Sequence, residues 1–328
     1  MKPFITVISM AICLFALPIY ADHYESGRID AHAPIGVMAD HTHEKGEWMT
    51  SIRYMPMNMN ENQLRRDTQS ISEVLTHFMM APLDMSMNML MVGAMTGISE
   101  TQTLMVMIPY TQKNMDIRKR DGSEFSRSSA GIGDLKISLL HAAAETDTQK
   151  MTFQTGISVP LGSVDETDGQ PSRLPYPMQL GSGTVDLLLG MTTICQFDDW
   201  SWGHQFHTIL RTGQSKHGYR LSNQLNGLSW MAKTWSKSLS TSIRLSGQTW
   251  GDIKGSDPDL NPMMVPTATQ NTSGKVIDLA IGINYQFASG ILKNHRIALE
   301  YGTPVYQYYD HTQMSRNAWV MMGWQVIL

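Results

Sequence analysis

Two cysteines stand in a chain of 328 residues, and only Cys195 lies outside the apolar stretch at the N-terminus. A disulfide framework is therefore excluded, and so are paired-cysteine metal knuckles. Charge is also scarce, with 16% charged residues and a formal net charge of −4. No basic cluster interleaved with aromatics occurs, which argues against a nucleic-acid partner. Beyond the N-terminus no segment approaches the roughly 18 consecutive apolar residues of a membrane-spanning helix. Phosphate loops of the GxxxxGK type and HExxH helices are missing as well, removing the commonest nucleotide and zinc-hydrolase readings.

The opening residues, MKPFITVISMAICLFALPIYADH, place Lys2 before an apolar run and the small Ala21 before Asp22. That layout is a secretory signal peptide over residues 1–21. Cys13 lies within the run without a lipoprotein cleavage site, so a lipid anchor is not expected. A segment containing histidine and methionine follows at 22–45, expected to be periplasmic, and residues 46–328 form the main domain.

What the chain has in excess is methionine, 26 residues of it. In DMSMNMLMVGAM it recurs at every second position from Met85 to Met91, and again at Met95. A two-residue period belongs to a strand, because successive side chains point to opposite faces. About twelve alternating segments of this kind can be placed, near 46–59, 85–96, 101–111, 131–142, 149–160, 184–197, 199–212, 223–235, 238–250, 275–288, 294–305 and 316–328. Each approximates the ~10 residues that a tilted strand needs to cross an outer membrane. Long connections such as 60–84, 112–130, 161–183 and 251–274 alternate strictly with tight ones. A transmembrane, antiparallel up-and-down β-barrel of about 12 strands has this rhythm, and a secreted β-sandwich, the competing all-β fold, does not require it. The faces agree: Ile277, Leu279, Ile281 and Ile283 alternate with Asp278, Ala280, Gly282 and Asn284. Trp200 and Trp202 beside a tight turn fit an interfacial girdle. In the first long connection, Ser70 and the helical spacing of Ile71, Val74, Leu75 and Phe78 predict one short helix.

Neighbouring strands say where the methionines point. Glu47 and Arg53 share a face with Met49, Met55, Met57 and Met59, and charged residues avoid lipid. Met85, Met87, Met89, Met91, Met95, Met105 and Met107 fall on the same inner side, so about eleven thioethers line one wall of the lumen. Three uses compete: flexible packing against a plug, a track for apolar solutes, and soft-metal binding, since thioethers favour Cu(I) and do not titrate. The segment DAHAPIGVMADHTHEKGEW tips the choice toward copper, with His32, Met38, Asp40, His41 and His43 just before the first strand. His41 and His43 share one side of an extended chain and can meet one ion. The expected metal set is therefore His32, Met38, Asp40, His41, His43, Met55, Met57, Met87, Met89, Met105 and Met107, with copper as the sole expected cofactor.

Lumen-type charges are Lys136, Arg211, Lys233, Arg244 and Arg296 against Asp134, Asp186, Asp278 and Glu300, suited to tuning selectivity or to pairing with one another. An outer-membrane lipid hydrolase would need a serine beside a histidine on the lipid face; His204 is there, but no serine in the sequence pairs with it by eye, so no catalytic residue is expected.

GVMADHTHEKGEWMTSIRYMPMNM, SSAGIGDLKIS, GISVPLGSVD, RLPYPMQLGSGTVDLLLG, SDPDLNP and GTPVYQ together resemble a family of bacterial transporter-like outer-membrane β-barrels, related to the meta-pathway phenol-degradation barrels. The resemblance spans essentially the whole chain after residue 21. It implies a Gram-negative outer-membrane location, with both termini periplasmic, and a transport role for which the family name suggests aromatic or apolar solutes. The expected partners are outer-membrane lipid and a small solute or metal ion, with a monomeric barrel.

Overall fold

The computed structural model describes residues 27–146, 148–167, 169 and 172–328. The expected signal peptide, 1–21, lies outside the described residues. Its strands are β1 (Trp48–Arg65), β2 (Asp67–Gln69), β3 (Met80–Ser99), β4 (Gln102–Lys119), β5 (Glu124–Ile132), β6 (Leu135–Glu145), β7 (Gln149–Val159), β8 (Asp186–Phe197), β9 (Trp200–Arg211), β10 (Tyr219–Arg220), β11 (Gln224–Ser236), β12 (Leu239–Trp250), β13 (Lys254–Gly255), β14 (Gly274–Gln286) and β15 (His295–Ile327).

Each tight turn leaves the next strand no course but antiparallel pairing with its predecessor. The wall accordingly runs β1-β3-β4-β6-β7-β8-β9-β11-β12-β14-β15 and closes by pairing β15 with β1. Eleven strand elements close the barrel, one fewer than the twelve expected segments. The reason is β15, which joins the segments at 294–305 and 316–328 without a break. A closed ring of antiparallel neighbours requires an even number of passes, so β15 has to reverse. Residues 296–309 pair with β14 and residues 309–327 with β1. Gln307 on the first arm donates to the Arg316 carbonyl on the second and accepts from its N–H.

The expected loops at 60–84 and 112–130 are largely strand. β1, β3 and β4 extend to 18, 20 and 18 residues, and β2 and β5 pair with their outer parts. Past the lipid, the outer face of a strand meets water, so sequences such as Asn58-Met59-Asn60-Glu61-Asn62 stay extended without an apolar outer face. β10 and β13 form a separate small ribbon above the rim. The expected helix is α1 (Ile71–His77), with a reciprocal capping box between Ser70 and Glu73 and Val74 buried. Of the two methionines after it, Met79 is half exposed and Met80 packs against Met85, Met115 and Met314.

Burial is inverted relative to a water-soluble fold. Leu187, Leu189, Ile243, Leu245, Leu279, Ile283, Leu299 and Tyr301 are exposed around the outer wall, while Asp186, Asp278, Arg244 and Glu300 are buried inside. A belt of apolar side chains spanning this many strands is stable only against lipid. Ile281, 59% exposed in the middle of β14, tests the point. Ile281→Arg is expected to destabilise the folded barrel in lipid vesicles by about 2–4 kcal/mol, read from urea unfolding, because it places a charge near the bilayer midplane.

Candidate functional site: a plugged, methionine-lined lumen

Residues 22–45, expected as a separate periplasmic piece, are folded inside the barrel over their described part. Their small and apolar residues Ile29, Ala31, Ala33, Ile35, Val37 and Ala39 are all buried. Alternation again explains the fit: these odd positions pack, and the backbone between them is tied to the polar inner wall. At the entry, Arg28 donates to the carbonyls of Asp198 and Trp200 in the β8–β9 turn, and Ser201 donates to the Asp30 carbonyl. At the exit, the Gly46 N–H donates to the Gly97 carbonyl near the end of β3, beside the β3–β4 turn. Both ends thus lie at the tight-turn end of the barrel, and the chain between them is a loop pushed up into the lumen.

The tip of that loop is Ile35-Gly36. Ile35 packs with Met91, Trp319 and Met321. The Gly36 N–H donates to Glu300 Oε2 at 2.9 Å, and Glu300 Oε1 accepts from Arg244 Nε at 2.7 Å. Gln205 and Thr192 hold the carbonyls of Met38 and Ala39, and Arg296 holds that of Ala33. Polar residues that a pore would present to water are here spent on the plug backbone, whose carbonyl and N–H groups need partners once buried.

The plug brings His32, Asp40 and His41 together, with one ligand atom from each lying within 4.8 Å of the others. The His32 and His41 rings meet edge to face at 4.4 Å between centroids, and His41 and His43 at 4.8 Å. Asp40 accepts from the Ala33 N–H at 2.9 Å, and its other oxygen is 3.0 Å from His41 Nδ1. His43 Nδ1 is paired with Glu47 at 2.9 Å. Three buried imidazole nitrogens have no hydrogen-bond partner: His32 Nδ1, His41 Nε2 and His43 Nε2. Burial, followed by the neighbouring His41, pushes His32 well below the ordinary histidine range and His43 below it too. Burial opposes the charge on Asp40, yet His41, His32 and the Ala33 N–H outweigh it and hold the carboxyl well below its usual range.

The thioethers face inward as their alternation predicts, but they form several groups rather than one wall. Met49, Met95, Met105 and Met107 pack with Ala39 and surround a cavity of about 10 Å³, the size of a single atom, together with Asp40, His41 and Arg53. Met55, Met57 and Met89 pack around Ile35, Met91 and Trp319, and Met38 bridges the two groups. Met87 faces Met57 across the β1–β3 ladder and joins neither group. A third group, Met85, Met115, Met178 and Met314, lies toward the rim with Met59 beside it. Of the eleven expected ligands, His32, Asp40 and His41 therefore share one site, and Met105 and Met107 adjoin it through His41. Met49 and Met95, which the expected ligand set omits, complete the cavity; the alternation that put Met105 and Met107 inside already marked them.

Above the plug lies a chamber of about 330 Å³ lined by Met38, Met105, His207, Gln224 and Gln248, and above it one of about 420 Å³ lined by Met57, Met85, Trp250 and the same two glutamines. The inner charges pair: Arg211 with Asp186, Arg244 with Glu300, and Arg316 with Asp278. Lys233, expected in the lumen, is instead outside, its ammonium over the Trp200 and Trp235 rings at 4.6 and 5.3 Å. Its stem reaches along the apolar wall to the interfacial aromatics, a snorkelling position. On the outer face Ser229 Oγ lies 2.8 Å from His204 Nδ1, a pairing between strands that linear reading missed. Trp202, Phe206 and Met231 surround the pair, and two polar side chains on an apolar face require each other's hydrogen bond in any case.

No family model matches the chain, and no curated protein matches it. Among solved structures, an outer membrane channel from Pseudomonas putida F1 superposes with a TM-score of 0.63 over 88% of this chain and 97% of that one, at 11% identity. A Pseudomonas aeruginosa FadL homologue gives 0.44 at 7% identity, covering 86% of this chain and 90% of that one. The CymD monoaromatic hydrocarbon channel gives 0.44 at 8% identity, covering 95% and 99%. The first likeness establishes a shared β-barrel fold, and the looser two carry no argument.

Proposed function

We propose that this chain is a channel-type outer-membrane barrel for a small soft cation, copper, closed at its tight-turn end by its own N-terminal segment. Tight turns face the periplasm in such barrels, so both termini are periplasmic in this reading. One observation carries it: four thioethers from three adjacent strands and a plug imidazole surround the same atom-sized cavity. Thioethers and imidazole are the soft and borderline donors that Cu(I) prefers over the oxygen ligands of magnesium or calcium. The upper chambers are lined in part by methionine and carboxamides; the lower one shares Met105 and Met107 with this cavity, and the two share Gln224 and Gln248 with each other. The aromatic or apolar solutes suggested by the family resemblance would use the same greasy lining but leave the imidazoles without a role.

The test is a Cu(I) titration of detergent-folded protein against a variant with Met49, Met95, Met105 and Met107 all changed to leucine. Leucine keeps size and apolarity, at under about 1.5 kcal/mol per site, so the barrel is expected to fold. Copper(I) affinity is expected to fall by roughly a hundredfold or more, as loss of metal-site groups typically causes. Equal affinity in the two proteins would remove copper from the lumen and leave the methionines as packing.

A further inference from the structure

The plug carries a second donor set of different chemistry. His32, Asp40 and His41 supply two imidazoles and a carboxylate and no sulfur. From these we infer a site for a divalent transition ion, of the zinc or copper(II) class, that takes no sulfur ligand, borders the thioether cavity through Asp40 and His41, and belongs to the plug itself. The inference goes beyond the transport reading, because it holds whichever solute the lumen passes.

Three observations support it. First, His41 is 7% exposed and its Nε2 has no hydrogen-bond partner, while His32 Nδ1 beside it is equally unpartnered. A buried polar nitrogen left unsatisfied is costly, so two of them beside one carboxylate point to an absent partner that all can share. Second, the neighbouring His43 gives its Nδ1 to Glu47 and keeps Nε2 buried and unpartnered. That is the arrangement in which a carboxylate fixes the tautomer of a metal-binding imidazole. Third, Arg53 lines the adjacent cavity and Arg296 is bonded to the Ala33 carbonyl. Two guanidiniums repel a weakly held hard cation such as calcium, which needs several oxygen ligands. Only an ion bonded strongly through nitrogen is retained against them.

The site also has a mechanical consequence. Its ligands bracket the loop that carries Ile35 and Gly36, so an ion joining His32 to Asp40 and His41 closes that loop at its base. Bonds near 2.0–2.2 Å draw the three ligand atoms closer than their present spacing.

The experiment uses the mature full-length barrel, stripped of metal by chelation and titrated with Co(II), whose visible absorption reports low-coordinate nitrogen and oxygen ligation. One Co(II) per chain is expected, displaced by Zn(II). His32→Gln and Asp40→Asn are each expected to lower the affinity by roughly a hundredfold, while the four-leucine variant retains it. Independently of any variant, X-ray absorption of the Zn(II)-loaded wild type is expected to show nitrogen and oxygen near about 2.0–2.1 Å with an imidazole signature and no sulfur shell at about 2.3 Å. Absence of stoichiometric Co(II) binding, undiminished affinity in both plug variants, or a sulfur shell would each overturn the site. Loss of Cu(I) binding in the leucine variant with Co(II) binding intact separates this site from the lumen proposal.

Discussion

Removing the segment up to residue 45 is expected to turn a closed barrel into an open one. In planar bilayers the intact protein should show only the leak of a filled lumen, and the truncated one the steady conductance of a water-filled channel. The wall has every reason to survive the deletion. Its strands are joined to one another all the way round, and β15 closes on β1 through residues 49–65, beyond the deleted part. Arg244 and Glu300 would lose the Gly36 N–H but keep each other, and water entering the lumen would solvate the carboxylate oxygen that the plug had occupied. The same truncation deletes His32, Asp40 and His41 together, so divalent binding should vanish while the thioethers remain. A truncated barrel that conducts no better than the intact one would place the barrier elsewhere, in the loops around Pro177 and Pro266 that line the upper chamber.

The wall was legible in the sequence because lipid imposes a rule that chain chemistry has to obey. Wherever a strand crosses lipid, one face must be apolar, and β6 to β9, β11, β12 and β14 start and stop within a few residues of the alternation that marks them. Where lipid ends, the rule ends, so the outer ends of β1, β3 and β4 and residues 124–130 of β5 read as loops. The inward direction of the methionines was legible for the same reason, through the charged Glu47 and Arg53 on their face. Their division into groups was not, since it depends on which wall residues the plug touches. Met49 and Met95 reach the cavity because Ala39 presses there, and Met55 and Met57 reach Ile35 instead. The histidine cluster was half visible. His41 and His43 are close in sequence, but the partner that completes the site is His32, brought back by a chain reversal at the plug tip that no local pattern announces. Ser229 beside His204 was hidden likewise, because β9 and β11 pair across a long loop.

Gly36 is the residue on which the closure turns, and Gly36→Val should open it. A Cβ built at this position would lie 2.3 Å from Glu300 Oε2 and 2.4 Å from Arg244 Nη2. Neither group can retreat freely: both side chains are buried, and each is the other's ion-pair partner. A valine there has two outcomes, to break the pair or to lift the tip from the wall. Separating a buried ion pair costs about 3–5 kcal/mol, whereas withdrawing the tip gives up the Ile35 contacts and one hydrogen bond to a charged acceptor, about 1.5–3 kcal/mol for the latter. The costs are comparable, so the tip is displaced in a substantial fraction of molecules, a shift of roughly a hundredfold or more in the closed-to-open ratio for about 3 kcal/mol. Channel recordings should then show frequent openings approaching the conductance of the truncated barrel, with the folded wall intact by its resistance to denaturation in detergent. Glu300→Gln supplies the complementary case. It keeps an acceptor for the Gly36 N–H but leaves Arg244 buried without a counter-charge, so it should weaken the barrel while opening it less. Closed channels in Gly36→Val, with unchanged stability, would mean that the tip does not seal the lumen and that the polar tethers at Gln205, Thr192 and Arg296 suffice.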